Sequence, residues 1–248
     1  MKKSIHTKNK HLFIIGAQRC GTTSILNYLK KYKIIISTKL EKPEPKYFLK
    51  KDINYNDYLN KFFKKSFIGK KILVDKSTSY IESNKAALNI KKYIKNPKIL
   101  ILLRNPVDRC ISNYYLSKKN GYENFSLSKA LKLEKGRTYD KAKTSTSPYK
   151  YFERGKYYKY LDIWNKLFKK NEIKIIILEN LIKNKTKETK SLCNFLDIKF
   201  KKEIKIRKKN YLNYDNHFKY RKKLQIQYKK ANSILLERYE LDISGWLI

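Results

Sequence analysis

Residues 12–23 read LFIIGAQRCGTT, and this stretch decides the fold class of the chain. Residues 12–15 are a short apolar run typical of a buried strand, residues 16–21 form a turn bounded by two glycines, and residues 22–32 have helical spacing. A helix that begins directly after a tight loop presents unpaired N–H groups and the positive end of its dipole to that loop. The stretch therefore predicts a backbone cradle for a phosphate-like anion.

The loop departs from the common phosphate-binding pattern G-x-x-x-x-G-K at one position. Gly16 and Gly21 have the expected separation, but Thr22 stands where the lysine belongs. The cation of the loop is instead Arg19, which lies between the two glycines. The sequence thus indicates an anion site in which a guanidinium supplies the positive charge.

Apolar runs and helical patterns alternate along the rest of the chain. Continuous Ile, Leu and Val runs, rather than alternating ones, are typical of strands buried on both faces of a parallel sheet. Further strand-like runs occupy residues 34–37, 71–75, 99–103 and 173–178. Helical spacing occupies residues 55–64, 84–95, 106–118, 126–135, 157–169, 186–196 and 218–240. This order predicts an α/β fold, with one domain over residues 1–248. We expect a three-layer P-loop-type domain whose central, mostly parallel sheet of about five strands is flanked by helices.

The composition is strongly basic, with 60 Lys and Arg against 21 Asp and Glu and a net charge of +39. Such a charge favours nucleic acid or another polyanion as a partner. Most of the cations are lysines, however, and Ile, Asn and Tyr are also abundant, which is the mixture that an A/T-rich coding sequence produces. We therefore attribute the charge mainly to coding bias and solvated faces, with selection for an acidic partner as the alternative.

Cysteine spacing and hydropathy bear on the compartment. Cys20, Cys110 and Cys193 are isolated from one another, without a CxxC pair, so we expect neither a disulfide framework nor a zinc site. The apolar run near the N-terminus is too short for a signal peptide, and no run reaches the roughly 18 residues of a membrane span. These features predict a soluble, cytoplasmic protein without a metal.

Polar residues follow two further predicted strands. The third strand is followed by DKSTSY, which includes Lys76, and the fourth by RNPVDRCISNYY, which begins with Arg104. Pro106 is suited to a first helical turn, and Ser112 lies two turns into that helix. Arg104 and Ser112 could form a second anion site, although Arg104 could instead form only surface ion pairs with its neighbours. Two anion sites on adjacent strand ends would suit a nucleotide that carries anions at both ends.

These segments together resemble the sulfotransferase superfamily, which transfers a sulfuryl group from 3′-phosphoadenosine-5′-phosphosulfate (PAPS). GAQRCGTTSILNYL is similar to the family's 5′-phosphosulfate loop, and ILLRNPVDRCISNYY is similar to its 3′-phosphate motif. The likeness continues through KPEPKYF, DKSTSY and RGKYYKYLDIWNKLF. It is strongest to the branch that contains the heparan sulfate sulfotransferases and their bacterial relatives.

The resemblance implies a set of nucleotide-binding residues. The loop would bind the 5′-phosphosulfate, Arg104 and Ser112 the 3′-phosphate, and a late basic stretch would close over the nucleotide. The full set is Gln18, Arg19, Cys20, Gly21, Thr22, Thr23, Arg104, Ser112, Arg207 and Lys208. Arg19 would also neutralise the bridging oxygen as the S–O bond breaks.

The resemblance implies catalytic roles for Arg19, Glu44 and Lys76. Glu44 stands where the heparan sulfate branch has a glutamate that acts as general base, and the prolines beside it stiffen its backbone. Lys76 would orient the acceptor and the transferred group. Glu41 is a rival carboxylate, and Glu44 could instead simply pair with a lysine. His6, His11 and His217 fit no base position, so we expect them to be structural or solvated.

The predicted activity is in-line sulfuryl transfer from PAPS to an acceptor hydroxyl, most simply on a glycan, without a metal. One alternative is a P-loop kinase that uses ATP and magnesium, with Asp75 as a magnesium ligand. The missing lysine at position 22 weighs against it, because charge builds on the phosphates during phosphoryl transfer. Another alternative is a basic nucleic-acid-binding protein. The 21 tyrosines of this chain are dispersed along the sequence, however, rather than clustered into a platform on which bases could stack.

Overall fold

A five-stranded sheet organises the chain. The structure is a computed structural model and describes residues 9–39, 43–63, 71–138, 148–206 and 218–246. The sheet has the order β2-β3-β1-β4-β5, and all neighbouring strands are parallel. The strands are β1 (Lys10–Gly16), β2 (Ile35–Ser37), β3 (Ile72–Lys76), β4 (Lys98–Leu103) and β5 (Ile173–Ile177).

Nine α-helices flank this sheet within the described residues. They are α1 (Thr22–Leu29), α2 (Tyr55–Phe62), α3 (Asn84–Tyr93), α4 (Pro106–Lys119), α5 (Leu127–Lys132), α6 (Tyr157–Leu167), α7 (Leu178–Lys183), α8 (Lys185–Leu196) and α9 (Phe218–Tyr239). Each of these helices, within the described ranges, is too short or too polar to span a lipid bilayer. The predicted α/β fold with a parallel five-stranded sheet is confirmed.

The predicted and observed elements differ at several of their ends, and the differences at α1, β3 and α7 bear on the site. Helix α1 ends at Leu29 rather than at residue 32, because a tight turn follows in which Tyr32 N–H donates to the Leu29 carbonyl. Strand β3 extends one residue further and includes Lys76. Helix α7 was not predicted. It begins directly at the end of β5 without a side-chain cap, so the sequence carries no start signal for it.

The loop after β1 lies where the strand order reverses. The chain places β2 and β3 on one side of β1 and places β4 and β5 on the other. In open parallel sheets, ligands bind at the carboxyl ends of the strands at such a reversal. Residues 16–21, the segment after β3 and the segment after β4 therefore meet at one edge of the sheet.

The buried strands of the sheet are mostly apolar, and β1 carries a buried histidine. Most side chains of β1 and β4 are fully buried, as the continuous apolar runs predict. His11 on β1 is 1% exposed, and its Nε2 lies 2.8 Å from the Tyr55 hydroxyl. Burial lowers the pKa of His11 to about 4. His11 is thus a neutral structural residue.

We expect His11→Gln to reduce the acid sensitivity of folding. Below about pH 6.5, unfolded chains protonate His11, whereas folded chains do so only near pH 4. The folded state therefore loses up to about 3 kcal/mol from this residue as pH falls through that window. Burial raises the pKa of Asp75 to about 6, so Asp75 makes the folded state more stable as pH falls, which is opposite to the effect of His11. The unfolding free energies of the variant and the parent must therefore be compared at the same pH.

Urea denaturation at pH 7 and pH 4.5 measures this effect. Between these pH values, the unfolding free energy of H11Q should change by about 2–3 kcal/mol in its favour relative to the parent. If the difference in unfolding free energy between H11Q and the parent did not vary with pH, His11 would not be a histidine that burial keeps neutral.

Candidate active site

The glycine-bounded loop has the geometry of an anion cradle. Helix α1 begins after Gly21, has no side-chain cap on its first N–H groups and has no acidic residue in its first turn. Gly21 has a φ of 85°, a left-handed conformation that favours glycine. The N-terminal N–H groups of Thr22 and Thr23 are therefore available to an anion, and the Thr23 side chain is exposed whereas that of Thr22 is buried.

The start of this loop packs closely against the segment after β3. A Cβ atom on Gly16 would lie 2.8 Å from Ile81 Cγ2 and 3.2 Å from the Thr78 carbonyl oxygen. A residue with a side chain would force these two segments apart. Gly16 therefore brings the residues after β3 against the loop after β1.

The two predicted anion-binding motifs are in direct contact. Arg19 adopts a left-handed conformation with φ 72°, and its Nε donates to Ser112 Oγ at 2.9 Å. Ser112 is fully buried on α4, 93 positions away in the sequence. The loop after β1 and the helix after β4 thus meet through the side chains that the sequence singled out.

Arg104 lies at the end of β4 next to this contact. Its guanidinium is 3.7 Å from Asp108, which also pairs with Arg221 of α9 at 2.5 Å. The side chain of Arg104 is partly exposed, so it can still reach a ligand. The ion pair with Asp108 that the sequence left open does form, and Arg221 would hold Asp108 if Arg104 turned to an anion.

Tyr157 contacts both motifs through its hydroxyl group. Its hydroxyl donates to the Arg104 carbonyl at 2.8 Å and lies 3.8 Å from Cys20 Sγ. The Cys20 thiol is fully buried, and burial raises its pKa to about 11. The N–H of Cys20 donates to the Ala17 carbonyl. The Cys20 side chain thus packs inside the protein, and the assignment of Cys20 to nucleotide binding stays a prediction.

Glu44 and Lys76 meet on the other side of the loop. Lys76 Nζ is 2.6 Å from Glu44 Oε1, and both side chains are nearly buried. The N–H of Thr78 donates to Glu44 Oε2 at 2.8 Å, and the Thr78 hydroxyl also contacts this carboxylate. The pairing of Glu44 with a lysine, one of the sequence alternatives, is thus observed, and its partner is the lysine predicted to act beside it.

Asp75 precedes Lys76 on β3 and is fully buried. Its carboxylate accepts hydrogen bonds from the hydroxyls of Ser77, Tyr80 and Tyr58 at 2.7, 3.1 and 3.2 Å. Burial raises the pKa of Asp75 to about 6, and these hydrogen bonds oppose the shift. Since three hydroxyls occupy its oxygens, Asp75 supports the segment after β3 rather than facing the loop.

Three contacts around the predicted site involve residues that the sequence did not assign to it. Thr78 binds Glu44, Tyr157 joins Arg104 to the loop, and Arg154 donates to Gln18 Oε1 at 2.7 Å. Thr78 could have been found from DKSTSY, because a polar run at a strand end places more than one donor there. Arg154 and Tyr157 lie in the segment RGKYYKYLDIWNKLF, which carries part of the resemblance, but nothing in that pattern assigns either residue to the site.

Some predicted residues lie outside the described ranges. These are Arg207 and Lys208 of the basic stretch, Glu41, His6 and His217. Their assignments stay predictions. Within the described residues, no group of three or more His, Cys, Asp or Glu side chains is arranged to hold a metal ion.

Comparison with known proteins gives one family. A family model described as "Sulfotransferase domain" matches residues 9–240. Human heparan sulfate glucosamine 3-O-sulfotransferase 3B1 is 28% identical over 191 residues, which are 75% of this chain and 45% of that protein. The membrane-associated sulfotransferase kil1 of Dictyostelium discoideum is 30% identical over 109 residues, or 43% of this chain and 23% of that protein. This chain thus spans less than half the length of these curated relatives.

A solved structure shares the fold over almost the whole chain. The crystal structure of a sulfotransferase from Alicyclobacillus acidocaldarius has a TM-score of 0.77 and 21% sequence identity. The superposition covers 96% of this chain and 98% of that one. At this identity the likeness establishes the architecture alone.

Proposed function

The chain belongs to the sulfotransferase domain family, and on that premise we propose that it transfers a sulfuryl group from PAPS to a hydroxyl group of a carbohydrate. The observation that carries the proposal is the 2.9 Å contact between Arg19 and Ser112. It brings the loop after β1 and the helix after β4 together, as binding of a nucleotide with anions at both ends requires. The carbohydrate class rests on the likeness to the heparan sulfate enzyme.

The residues at this edge of the sheet fit the donor. The uncapped start of α1 and the hydroxyl of Thr23 suit the 5′-phosphosulfate, whereas Arg104 and Ser112 suit the 3′-phosphate. When bound, PAPS supplies an activated sulfuryl group and leaves as 3′,5′-adenosine bisphosphate. Arg19 would hold the bridging oxygen, where negative charge develops during transfer.

Glu44 and Lys76 would act on the acceptor side. A Glu44 carboxylate oxygen would take the proton of the acceptor hydroxyl, and the contacts from Thr78 hold this carboxylate in place. The Lys76 ammonium has three N–H donors. It can therefore keep its contact with Glu44 while it donates to the anionic group in transfer.

The alternatives fit the structure less well. A magnesium-dependent kinase would need Asp75 at the loop, but Asp75 is fully buried and bound by three hydroxyls. A nucleic-acid-binding surface would need exposed rings, yet Tyr58, Tyr80 and Tyr157 are fully buried. The cytoplasmic location stays a prediction, which the three free, buried cysteines support.

Incubation with sulfur-labelled PAPS and a panel of glycans tests the activity. We expect label on a glycan in the absence of magnesium, and label at a rate lowered by about 10²–10⁴-fold when Glu44 is replaced by glutamine. Transfer from labelled ATP instead, or no transfer to any hydroxyl compound, would contradict the proposal.

We expect Arg104→Ala to weaken the binding of 3′,5′-adenosine bisphosphate by about 10–100-fold, because it removes a charged donor from the 3′-phosphate. R104K is the matched variant, since it keeps the charge but loses the forked geometry, and its loss should be smaller. Calorimetric titration measures both affinities. Equal affinity of R104A and the parent would show that Arg104 serves only its ion pair with Asp108.

A further inference from the structure

Arg154 is a buried arginine that the proposed machinery leaves without a role. It lies in the short 3₁₀ turn Glu153–Gly155 just before α6, and its side chain is 4% exposed. Its Nε lies 2.6 Å from Glu82 Oε1, and its Nη1 donates to Gln18 Oε1 at 2.7 Å. One guanidinium therefore ties the segment after β3 to the anion loop after β1.

The contact with Arg154 determines which end of the Gln18 amide is available. A guanidinium can only donate hydrogen bonds, so the atom that faces Arg154 must be the amide oxygen. The amide nitrogen, with its two N–H donors, is then the end of Gln18 left to face an anion. Without Arg154, the amide could turn its oxygen to the loop, where it would repel an anionic ligand.

The turn that carries Arg154 is itself held rigidly. The N–H groups of Phe152 and Glu153 donate to the Glu134 carboxylate at 2.7 and 2.8 Å. The hydroxyl of Tyr228 on α9 donates to the Phe152 carbonyl at 2.8 Å. Three hydrogen bonds therefore hold the backbone next to Arg154 in place.

The charge of Arg154 also reaches the acceptor side. Lys46 lies beside Glu44 in the segment before the 3₁₀ turn Tyr47–Leu49. Burial lowers the pKa of Lys46, the Glu44 charge opposes the shift and the Arg154 charge adds to it. Arg154 thus contacts the loop after β1 through Gln18 and the segment after β3 through Glu82.

We propose that Arg154 is a positioning residue that orients the Gln18 amide so that its nitrogen donates to the anionic end of the donor nucleotide. The inference deepens the proposed function and rests on it. A purely structural arginine, by contrast, would only pair with Glu82 and would leave nucleotide binding unchanged in a folded variant.

A double-mutant cycle on affinity for 3′,5′-adenosine bisphosphate tests this inference. R154M and Q18M should each weaken binding by about tenfold or more, and the double variant should bind no worse than the weaker single variant. R238M is the matched control, because Arg238 pairs with Asp162 in an exposed position, and it should bind as the parent does. Additive losses, or parental affinity of R154M, would overturn the inference.

A second variant keeps the test decisive if R154M does not fold. Q18E preserves an acceptor for Arg154 but replaces the N–H donors, so its melting temperature should match or exceed that of the parent while affinity falls at least tenfold. Parental affinity of Q18E would overturn the inference. If the parent itself does not bind the bisphosphate, the proposed function fails instead, so the two failures are distinguishable.

Discussion

Replacing Glu44 with glutamine should lower turnover by about 10²–10⁴-fold and leave the affinity for 3′,5′-adenosine bisphosphate near that of the parent. The amide cannot accept the proton of an acceptor hydroxyl, although it fills the same volume. Because Glu44 lies beside Lys76 and Thr78 rather than among the nucleotide-binding residues, donor binding should be preserved. Steady-state kinetics with labelled PAPS, together with calorimetry, separates the two effects.

Thr78→Val provides the matched control for this prediction. It removes the hydroxyl that contacts Glu44 but keeps the carboxylate and the Thr78 N–H contact. Its loss of turnover should therefore be much smaller than that of E44Q. If E44Q turned over at the parental rate, Glu44 would be a structural partner of Lys76, and Glu41 or water would have to act as the base.

Replacing Arg19 with alanine should lower turnover by about 10²–10³-fold, with a smaller loss of nucleotide affinity. The guanidinium is needed most when negative charge develops on the leaving oxygen, so its removal raises the barrier more than it weakens the ground state. The loop backbone and the start of α1 remain to bind the nucleotide. Single-turnover measurements at saturating PAPS report the chemical step directly.

Two further variants separate the charge of Arg19 from its contact with Ser112. R19K keeps a cation in the loop and should recover part of the lost turnover. S112A removes the partner of Arg19 and should act mainly on affinity, since Ser112 is assigned to the 3′-phosphate. If R19A lost only affinity while its rate at saturation stayed parental, Arg19 would be a binding residue and not a catalytic one.

Continuous apolar runs made the sheet predictable. Both runs predicted as buried strands, residues 99–103 and 173–178, contain a strand in the structure. Strand β5 ends at Ile177, however, and its first three residues are only half-buried at the edge of the sheet. Helix α4 was predictable because Pro106 opens it, and Asn105 caps it. Helix α7 was not predictable, because no cap or turn residue separates it from β5.

The sequence indicated several residues of the candidate site, but it did not indicate which of their side chains contact each other. The resemblance to the sulfotransferases implied roles for Arg19, Glu44 and Lys76, yet the pairing of Glu44 with Lys76 joins segments 32 positions apart that no local pattern connects. The burial of the Cys20 thiol was not predicted, since side-chain direction within a loop depends on tertiary packing. Arg154 opens a segment that carries part of the resemblance, but no local pattern connects it with Gln18, which lies 136 positions away.

The central claim is that residues 19–23 and 104–112 bind opposite ends of one nucleotide. Calorimetric titration with 3′,5′-adenosine bisphosphate, 5′-AMP and 3′-AMP in the presence of EDTA tests it most directly. We expect one bisphosphate per chain, bound at least about tenfold more tightly than either monophosphate, because each phosphate contributes its own charged contacts. Equal affinities for all three nucleotides, or binding that requires magnesium, would contradict it.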